Sequence, residues 1–296
     1  MKRVFAVLLL LSLLFSGCAA PETDAAPKFG AEHLIIHYMD VDQADGMLLI
    51  AGETTVLIDA GNLGTSGEVV KYLRRFGVEE LDLVVTTHPH LDHMGGISDA
   101  MNAFPTKEVW CSHATYESAA FQYLVRAADR QGLTIQHPEP GTVYAADGLI
   151  IKVLGPVQDA DQYNDLNDTS LVLMVQFGEK KFLFTGDMEK YAENQLLAAG
   201  TDLKADVLKV GHHGSYSSTS QGFLDKVDPD YGVVSCGRNN EYGHPHDAPM
   251  NRLKKAEVEL YRTDLMGDVI LVTDGQTIAF FLSTSDMEID GYDKAA

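Results

Sequence analysis

The chain has 296 residues, of which 45% are hydrophobic and 22% charged, as in one large globular domain or two small ones and unlike disordered or fibrous chains. Its 43 Asp and Glu against 22 Lys and Arg give a net charge of −21. A surface this acidic repels a phosphate backbone, which excludes a protein that coats nucleic acid non-specifically. It does not exclude an enzyme in which bound metal ions supply positive charge locally.

The first 17 residues have the features of an export signal. Lys2 and Arg3 precede an apolar run at residues 4–15 that is too short to span a bilayer as a stable helix. Small residues then lead to Cys18, and this arrangement resembles a bacterial lipoprotein signal, in which cleavage before the cysteine leaves it to carry lipid. The alternative is an ordinary secretory signal with an incidental cysteine. Both interpretations predict export.

Under the lipoprotein interpretation, Cys18 anchors the protein to the outer face of the cell membrane, and residues 18–31 form a flexible tether. Removal of residues 1–17 takes away two basic residues and no acidic one. The exported chain then has 43 acidic and 20 basic residues, a net charge of −23.

Residues 32–283 are predicted to form the folded domain, because short strand-like runs alternate there with helix-like runs. Residues 284–296 are polar and acidic and are expected to be a disordered tail. Strands are predicted at 34–39, 47–51, 55–59, 81–86, 108–111, 149–154, 170–177, 181–185, 206–210, 231–235, 258–261 and as a final pair within 268–282. Helices are predicted at 66–76, 97–104, 116–131, 191–199, 218–227 and 249–255.

The sequence contains one internal repeat. From residue 47, an apolar run, a turn and a second apolar run end in Asp59 near a glycine, and residues 170–187 repeat this plan and end in Asp187. Strands that are apolar at nearly every position are covered on both faces. The repeat therefore predicts an α/β fold in which two sheets face each other with helices outside, a four-layer αββα sandwich of two similar halves.

The segment after the predicted strand at 81–86 carries the strongest functional signal. His88, His90, Asp92 and His93 fall within six residues. The two histidines at 88 and 90 can point to one position, whereas the next two ligand-type residues follow a turn and can point to a second. This spacing favours two divalent ions, and imidazole with carboxylate but no thiolate favours Zn²⁺, Mn²⁺ or Fe²⁺ acting on water. The alternative is a His-rich surface loop.

Two further histidines follow the predicted strand at 206–210. Because neighbouring residues of a strand point to opposite faces, only one of the pair is expected to bind metal. His212 is the predicted ligand, and His213 is the alternative ligand and otherwise a substrate contact. Gly214 and Ser215 offer backbone N–H groups and a hydroxyl to an anionic oxygen.

His244 lies in a loop late in the chain. It is a candidate to protonate a leaving group or to bind phosphate, and the alternative is a solvated loop histidine. The remaining histidines are expected to be structural or exposed: His33, His37, His113, His137 and His246.

Cys111 and Cys236 each end a strand-like run, where a cysteine is usually a small buried hydrophobe. We expect two free, buried thiols. A disulfide between them is the alternative, since the chain is predicted to be exported.

His-x-His-x-Asp-His after a strand, with an acid at the end of the preceding strand, resembles the pattern of the metallo-β-lactamase-fold hydrolases over residues 34–282. More narrowly, the chain resembles the hydrolase domain of ComEC-type competence proteins and a related phosphorylcholine esterase of bacterial cell walls. The segments concerned are Asp-Val-Asp-Gln-Ala-Asp-Gly at 40–46, Asn-Asp-Thr-Ser-Leu-Val at 167–172, Gly-His-His-Gly-Ser at 211–215 and Tyr-Gly-His-Pro at 242–245. In the first of these, both glycines of the subfamily's Asp-Val-Gly-Gln-Gly-Asp-Ala are replaced.

The resemblance implies roles for four more residues. Asp187 matches the family's metal-bridging acid, and Asp59 matches the acid that braces the metal loop through hydrogen bonds. Asn167 stands where many of these enzymes have a third histidine, which implies that one of two ions is held less tightly. Ser170 belongs to the same segment and is expected behind the ligands or beside substrate.

The resemblance also implies a metal-dependent hydrolase with two Zn²⁺ or Mn²⁺ ions, and the favoured activity is hydrolysis of a phosphodiester by metal-activated hydroxide. Asp92 would orient the water or accept its proton. With His213 and His244 it completes the predicted catalytic set. The expected substrate is a small phosphodiester, a short single-stranded nucleic acid or a cell-wall component. No specific protein partner is expected.

Four alternatives stay open. They are a nuclease for single-stranded DNA, a phosphorylcholine or teichoic-acid esterase, a hydrolase of β-lactams, lactones or thioesters, and a metal-binding, wall-associated protein without turnover. The negative charge counts against grip on a long polyanion, and Asn167 counts against the β-lactam alternative.

Overall fold

A computed structural model describes residues 32–113 and 118–283 of the chain. The predicted signal peptide at 1–17, the tether at 18–31 with Cys18, and the acidic tail at 284–296 lie outside the described residues. Within the described ranges, no helix is long and apolar enough to cross a membrane.

Two β-sheets lie at the centre of the fold. The strands of the first are β1 (Leu34–Tyr38), β2 (Gly46–Ala51), β3 (Thr54–Ala60), β4 (Leu81–Thr86), β5 (Thr106–Cys111), β6 (Ile135–Gln136), β14 (Asp268–Thr273) and β15 (Ile278–Ser283). Those of the second are β7 (Val143–Ala146), β8 (Leu149–Gly155), β9 (Val172–Phe177), β10 (Lys180–Phe184), β11 (Val207–Lys209), β12 (Tyr231–Val234) and β13 (Glu259–Arg262). The strand order is β15-β14-β1-β2-β3-β4-β5-β6 in the first sheet and β13-β12-β11-β10-β9-β8-β7 in the second.

Helices connect the strands. They are α1 (Ser66–Arg75), α2 (Leu91–Met94), α3 (Ile97–Ala103), α4 (Ala119–Gln131), α5 (Lys190–Ala198), α6 (Gln221–Val227), α7 (Asp247–Lys255) and α8 (Thr263–Met266). Short 3₁₀ turns lie at Ala160–Gln162, Asn167–Thr169 and Gly211–Gly214.

The core is divided by the two sheets. Side chains on their facing sides pack together, among them Ile36 and Ile58 of the first sheet and Val175 and Phe184 of the second. The outer face of the first sheet packs against α1, α3 and α4. The outer face of the second packs against α5, α6 and α7. These layers confirm the predicted αββα sandwich.

The two halves repeat one strand plan. The hairpins β2–β3 and β9–β10 are antiparallel, and the second strand of each then pairs in parallel with the next strand, β4 or β11. Gly52 and Gly178 occupy the same place in the two hairpin turns, each with φ of +57°, a conformation that glycine adopts without strain. The internal repeat in the sequence thus corresponds to a repeat in structure.

Two strands and two helices of the described structure are not among the predicted elements: β6, β7, α2 and α8. The strand β7 lies at a sheet edge, and its residues are exposed or half-buried. It therefore lacks the apolar run by which the covered strands were found. The helix predicted at 116–131 is described from Ala119, after an N-cap at Ser118.

Both cysteines of the described residues are free and buried, which confirms the prediction of two buried thiols. Burial raises the pKa of Cys111 and of Cys236 to about 12. Neither thiol is therefore a reactive thiolate near neutral pH.

Candidate metal centre

The predicted ligands come together where the carboxyl ends of strands from both sheets meet. Asp59 lies near the end of β3, and the His-rich loop follows β4. In the second sheet, Asp187 follows β10 and the pair His212 and His213 follows β11. In α/β folds, this end of the strands is where binding sites form.

The loop after β4 turns as the spacing predicted. His90 is the N-cap of α2, so the chain changes direction between His90 and Asp92. His88 Nε2 lies 3.1 Å from His90 Nδ1, so these two rings meet. The ring of His93 lies 4.2 Å from that of His88, centroid to centroid.

Asp59 holds this loop in place. Its carboxylate accepts hydrogen bonds from the backbone N–H and the hydroxyl of Thr87, at 2.8 and 2.7 Å. Its Oδ2 also lies 2.8 Å from His93 Nδ1. Because Asp59 holds Nδ1 of His93, the opposite nitrogen, Nε2, faces the centre of the cluster.

Gly96 lets the loop pack closely against the end of β3. A Cβ on Gly96 would lie 2.1 Å from the carbonyl oxygen of Ala60, so only glycine fits at this position.

Asp187 lies at that centre. Its Oδ1 is 3.2 Å from His93 Nε2, and its Oδ2 is 3.6 Å from the Nε2 atoms of both His212 and His213 and 4.0 Å from that of His88. One buried carboxylate thus faces four imidazoles from two loops. Two carboxylate oxygens that face different imidazoles suit an acid shared between two cations.

Both histidines of the pair after β11 face Asp187. The strand ends at Lys209, and His212 and His213 have left-handed backbone, with φ of +48° and +52°. Strand alternation, on which the choice of one histidine rested, therefore does not apply to them. Ligand atoms of His213, Asp92, His93 and Asp187 lie within 4.8 Å of one another.

His212 has a different second contact from His213. Its Nδ1 lies 3.0 Å from Glu189 Oε1, whereas His213 Nδ1 lies 2.9 Å from the carbonyl oxygen of Ser235. The assignment of His212 as the metal ligand stays a prediction, and the four-residue set makes His213 an equal candidate.

The Asn-Asp-x-Ser segment borders the cluster. Asn167 is buried, and its Oδ1 has no hydrogen-bond partner among the described residues. The Ser170 hydroxyl donates to the Asn167 carbonyl at 2.7 Å and accepts from the backbone N–H of Asp187 at 3.1 Å. Ser170 thus braces the segment against the central acid.

Ser215 is turned away from the cavity. Its hydroxyl lies 2.9 Å from that of Ser217, and its backbone N–H donates to the carbonyl of His212. The N–H group that was expected to serve an anionic oxygen is therefore already bonded within the loop. The Ser217 hydroxyl in turn donates to Glu189, which contacts His212 Nδ1. Ser215 therefore helps to hold Glu189 beside His212.

His244 lies at the mouth of the cluster, half-buried, with its ring 5.5 Å from that of His212 and 6.2 Å from that of His213. Gln43 Oε1 accepts from the backbone N–H of Gly237 at 3.1 Å, which leaves Gln43 Nε2, at 3.1 Å, as the donor to His244 Nδ1. In neutral His244 the ring proton is then on Nε2.

The other histidines lie in varied places. His37 is buried against Tyr72 and Phe76, and His113 and His137 lie beside each other. The ring of His246 lies 4.8 Å from that of His244, but His246 is not among the described residues that line the cavity, so its expected role as a structural or exposed histidine stays a prediction.

The cluster opens into a cavity of about 550 Å³. No Lys or Arg is among the described residues that line it. The lining consists of Gln43, Leu63, Pro89, His90, Leu91, Asp92, Ser118, Ala119, Ala120, Asn167, Asp187, His212, His213, Tyr242 and His244.

The electrostatics of the cluster favour cations. Burial disfavours a charge on Asp187, but the imidazoles of His93, His213 and His212 outweigh it and hold the pKa of Asp187 well below its usual value. Burial also lowers the pKa of His213, but Asp187 and Asp45 outweigh it and raise that pKa to about 10. The carboxylates thus hold a proton on the His213 imidazole, and metal binding there would replace that proton.

The donor set fits divalent metal. Within the described residues, His93 Nε2, Asn167 Oδ1 and Asp187 Oδ1 are buried without a hydrogen bond of good geometry, although the first and last lie 3.2 Å apart. Buried polar atoms are normally paired, and a bound ion is one explanation for a group of unpaired ones. Imidazole and carboxylate without thiolate are the donors of hydrolytic metal sites.

Three residues beside the cluster were not predicted as part of the site. Asp45 could have been found from the sequence, because it is an acidic residue in the motif at 40–46. Lys209 could also have been found, because a lysine at the end of an otherwise apolar strand is unusual. Glu189, two residues after Asp187, carried no signal that distinguishes it from a surface acid.

The αββα sandwich with its His/Asp cluster is a metallohydrolase fold. The chain belongs to the metallo-beta-lactamase superfamily, whose sequence pattern matches residues 39–238. It is 30% identical over 252 residues to ComE operon protein 3 of Bacillus subtilis, with 79% of this chain and 32% of that protein covered. It is 31% identical over 268 residues to competence protein ComA of Neisseria gonorrhoeae, with 90% and 35% covered. The chain thus spans about a third of the length of these curated relatives.

These relatives confirm the resemblance to ComEC-type competence proteins. Among solved structures, the chain is similar to the metallo-beta-lactamase fold protein YhfI of Bacillus subtilis, with a TM-score of 0.54 and 12% identity over 83% of this chain and 99% of that one. At this identity, the likeness supports the fold alone.

Proposed function

We propose that the protein is an exported, metal-dependent phosphodiesterase that acts on a small diester. The observation that carries this proposal is the buried His/Asp cluster around Asp187, which opens into a cavity with no Lys or Arg among its described lining residues. A phosphodiester has one negative charge, which metal ions in the cluster are sufficient to balance. A substrate with several phosphates would need additional cationic side chains.

Two ions, Zn²⁺ or Mn²⁺, are the proposed cofactors. His88, His90 and Asp187 would hold one, and Asp92, His93 and Asp187 the other, together with His213 or His212. When bound, such ions lower the pKa of water and neutralise charge on phosphoryl oxygens.

The chain's own residues would handle the protons. The side chain of Asp92 is 34% exposed and lines the cavity, so one carboxylate oxygen can accept a proton from an attacking water. His244 also lines the cavity, and Gln43 keeps its ring proton on Nε2. That N–H is available to donate a hydrogen bond to the leaving oxygen.

A nuclease for short single-stranded DNA is the second candidate, favoured by exposed aromatic rings at the rim. Tyr242, 61% exposed, lies parallel to His244 at 5.6 Å, and Tyr216, 71% exposed, lies 5.1 Å from His246. Aromatic faces of this kind stack on nucleobases. The relatives named for competence agree with this candidate, whereas the net charge of −21 opposes binding of a long strand.

A substrate panel tests the proposal. The purified protein would be assayed with Zn²⁺ and with Mn²⁺ against bis-p-nitrophenyl phosphate, p-nitrophenyl phosphorylcholine, single-stranded DNA and nitrocefin. Preference for the first supports the small-diester proposal. Preference for the second would replace it with a phosphorylcholine esterase, for the third with a nuclease, and for nitrocefin with a β-lactam hydrolase. No turnover of any would favour a metal-binding protein.

Export is supported by the basic start, the apolar run at 4–15 and Cys18. Labelled palmitate should enter the full chain and should not enter a Cys18→Ala variant, since the other two cysteines lie far from the cleavage site. Label in the variant would contradict lipid attachment at Cys18.

A further inference from the structure

A buried ion pair lies directly behind the metal centre. Lys209 ends β11 in the second sheet, and Asp45 immediately precedes β2 in the first. Both side chains have no exposed surface, and Lys209 Nζ lies 2.7 Å from Asp45 Oδ2. Lysine is almost never fully buried unless it is paired. The pair therefore joins the two halves of the sandwich at the one place where both contribute metal ligands.

Asp45 faces the side of the ligand rings that points away from the centre. Its Oδ1 lies 3.3 Å from His213 Nδ1, and its Oδ2 lies 3.9 Å from His93 Nδ1. The Nε2 atoms of the same two rings face Asp187, at 3.6 and 3.2 Å. Asp45 and Asp187 thus lie on opposite sides of both imidazoles.

The backbone of Asp45 is tied to the metal loop as well. Its N–H donates to the carbonyl of Asp92 at 3.1 Å, and its carbonyl accepts from the N–H of Gly61 at 2.7 Å. Asp45 therefore contacts the ligand rings through its side chain and the ligand loop through its main chain. These contacts fix the His213 ring relative to the loop that carries Asp92.

The contact of Asp59 with His93 is comparable to that of Asp45 with His213. Asp59 contacts His93 Nδ1 at 2.8 Å, and both belong to the first half. Metal-binding histidines usually donate their second N–H to a carboxylate or carbonyl, which fixes the ring's orientation. For His213, the Ser235 carbonyl is the acceptor, 2.9 Å from Nδ1, and Asp45 Oδ1 lies beside it, 3.3 Å from the same nitrogen.

The lysine balances a concentration of negative charge. Oxygen atoms of Asp45 and Asp59 and a nitrogen of His93 lie within 4.8 Å of one another, all buried. A third buried carboxylate beside Asp59 and Asp187 is costly unless a cation compensates it. Lys209 supplies that cation, with its Nζ 2.7 Å from Asp45 Oδ2.

We propose that Asp45 and Lys209 form a positioning pair, in which Lys209 holds the Asp45 carboxylate in place, and Asp45 orients the His213 ring so that Nε2 faces the metal position. The inference rests on the proposed metal dependence but not on the identity of the substrate. Neither residue lines the cavity, so their effect is exerted through His213.

The test uses paired substitutions, because removal of one partner leaves the other charge buried and unpaired and destabilises the fold. Asp45→Leu/Lys209→Met removes both charges and the carboxylate oxygen beside His213 Nδ1. Asp45→Asn/Lys209→Met removes both charges but keeps an oxygen that can accept from His213 Nδ1. Lys180→Met/Asp206→Asn is the matched control, since Lys180 and Asp206 form an ion pair in the same sheet, at the opposite end of β10.

Two quantities would be measured in full-length chains: the affinity for Zn²⁺, by competition with a chromogenic chelator, and thermal unfolding of the metal-free protein. We expect the Leu/Met pair to fold and to bind Zn²⁺ about 10–100-fold more weakly. The Asn/Met pair should recover most of that loss, and the control pair should match the wild type.

Wild-type affinity in the Leu/Met pair would overturn the proposal, as would equal loss in the Leu/Met and Asn/Met pairs. If the Leu/Met pair does not fold, Asp45→Ala/Lys209→Met takes its place in the comparison with the Asn/Met pair. Weaker Zn²⁺ binding by the Ala/Met pair than by the Asn/Met pair supports the proposal, and equal affinity of the two overturns it. Because the readout is Zn²⁺ affinity, failure of the phosphodiesterase proposal would appear separately, as metal binding without diester cleavage by the wild type.

Discussion

Asp59 and Asp187 hold opposite nitrogens of one imidazole. Asp59 Oδ2 lies 2.8 Å from His93 Nδ1, and Asp187 Oδ1 lies 3.2 Å from His93 Nε2. The two acids end equivalent hairpins of the two halves, so the internal repeat has produced two different roles. One acid braces the loop after β4, and the other faces the ligand rings from the second sheet.

Asn167→His should increase the amount of metal that the protein retains. An amide is a weaker ligand than imidazole, and the Asn167 oxygen is buried without a hydrogen-bond partner in the described structure. After exhaustive dialysis, metal analysis of the wild type should give nearer one than two ions per chain, and the variant should approach two.

Asn102→His is the control for this substitution, because Asn102 is exposed on α3. It should retain the wild-type amount. An unchanged metal content in Asn167→His would place residue 167 outside the metal centre, and full activity with no metal would contradict the metal proposal itself.

Gly96→Ala should destabilise the fold and loosen the metal loop. The added Cβ would lie 2.1 Å from the Ala60 carbonyl, so the loop must move, at a cost of about 1–3 kcal/mol. Urea unfolding of the metal-free protein would measure it. Gly67→Ala is the matched control in α1, where a Cβ meets nothing within 4 Å, and it should stabilise by about 0.5–1 kcal/mol. Equal effects of the two would show that the close contact is unimportant.

Salt should separate the two candidate functions. Salt shortens the range of repulsion between exposed charges, from about 10 Å at 0.1 M to about 3 Å at 1 M. Cleavage of a singly charged diester should therefore hardly depend on salt. Cleavage of single-stranded DNA by a protein of charge −21 should be slow at low salt and should rise as moderate salt is added.

The measurement is kcat/KM for both substrates between about 20 and about 300 mM NaCl with metal saturating. A basic nuclease behaves in the opposite way, because its DNA affinity falls steeply with salt. A sharp decline of DNA cleavage over this range would favour the nuclease over the small-diester enzyme.

The strand plan and the metal loop could be predicted from sequence because their signals are local. Runs of apolar residues mark covered strands, and the spacing of His88, His90, Asp92 and His93 survives any tertiary arrangement. The orientation of His212 and His213 could not be predicted in this way. Their left-handed backbone lies in a loop that is bonded to distant segments, since the N–H of His212 donates to the carbonyl of Gly186 and the carbonyl of Gly214 accepts from the N–H of His246.

The contact between Asp45 and Lys209 could not be predicted for a related reason. The two residues belong to different sheets and are far apart in the chain. Asp45 alone looks like a loop acid, and Lys209 alone looks like an exception in an apolar strand. Only the closure of one half on the other places them together.

The most direct test of the central claim is diester hydrolysis by Asp92→Asn. With bis-p-nitrophenyl phosphate and saturating Zn²⁺ or Mn²⁺, the wild type should turn over and a chelator should abolish the activity. Asp92→Asn should lower kcat by about 100-fold or more with the fold kept and metal supplied at saturation, because an amide cannot accept the proton of water. Asp129→Asn, on the exposed face of α4, should match the wild type. Loss of less than about threefold in Asp92→Asn, or no diester cleavage by the wild type with either metal, would contradict the account.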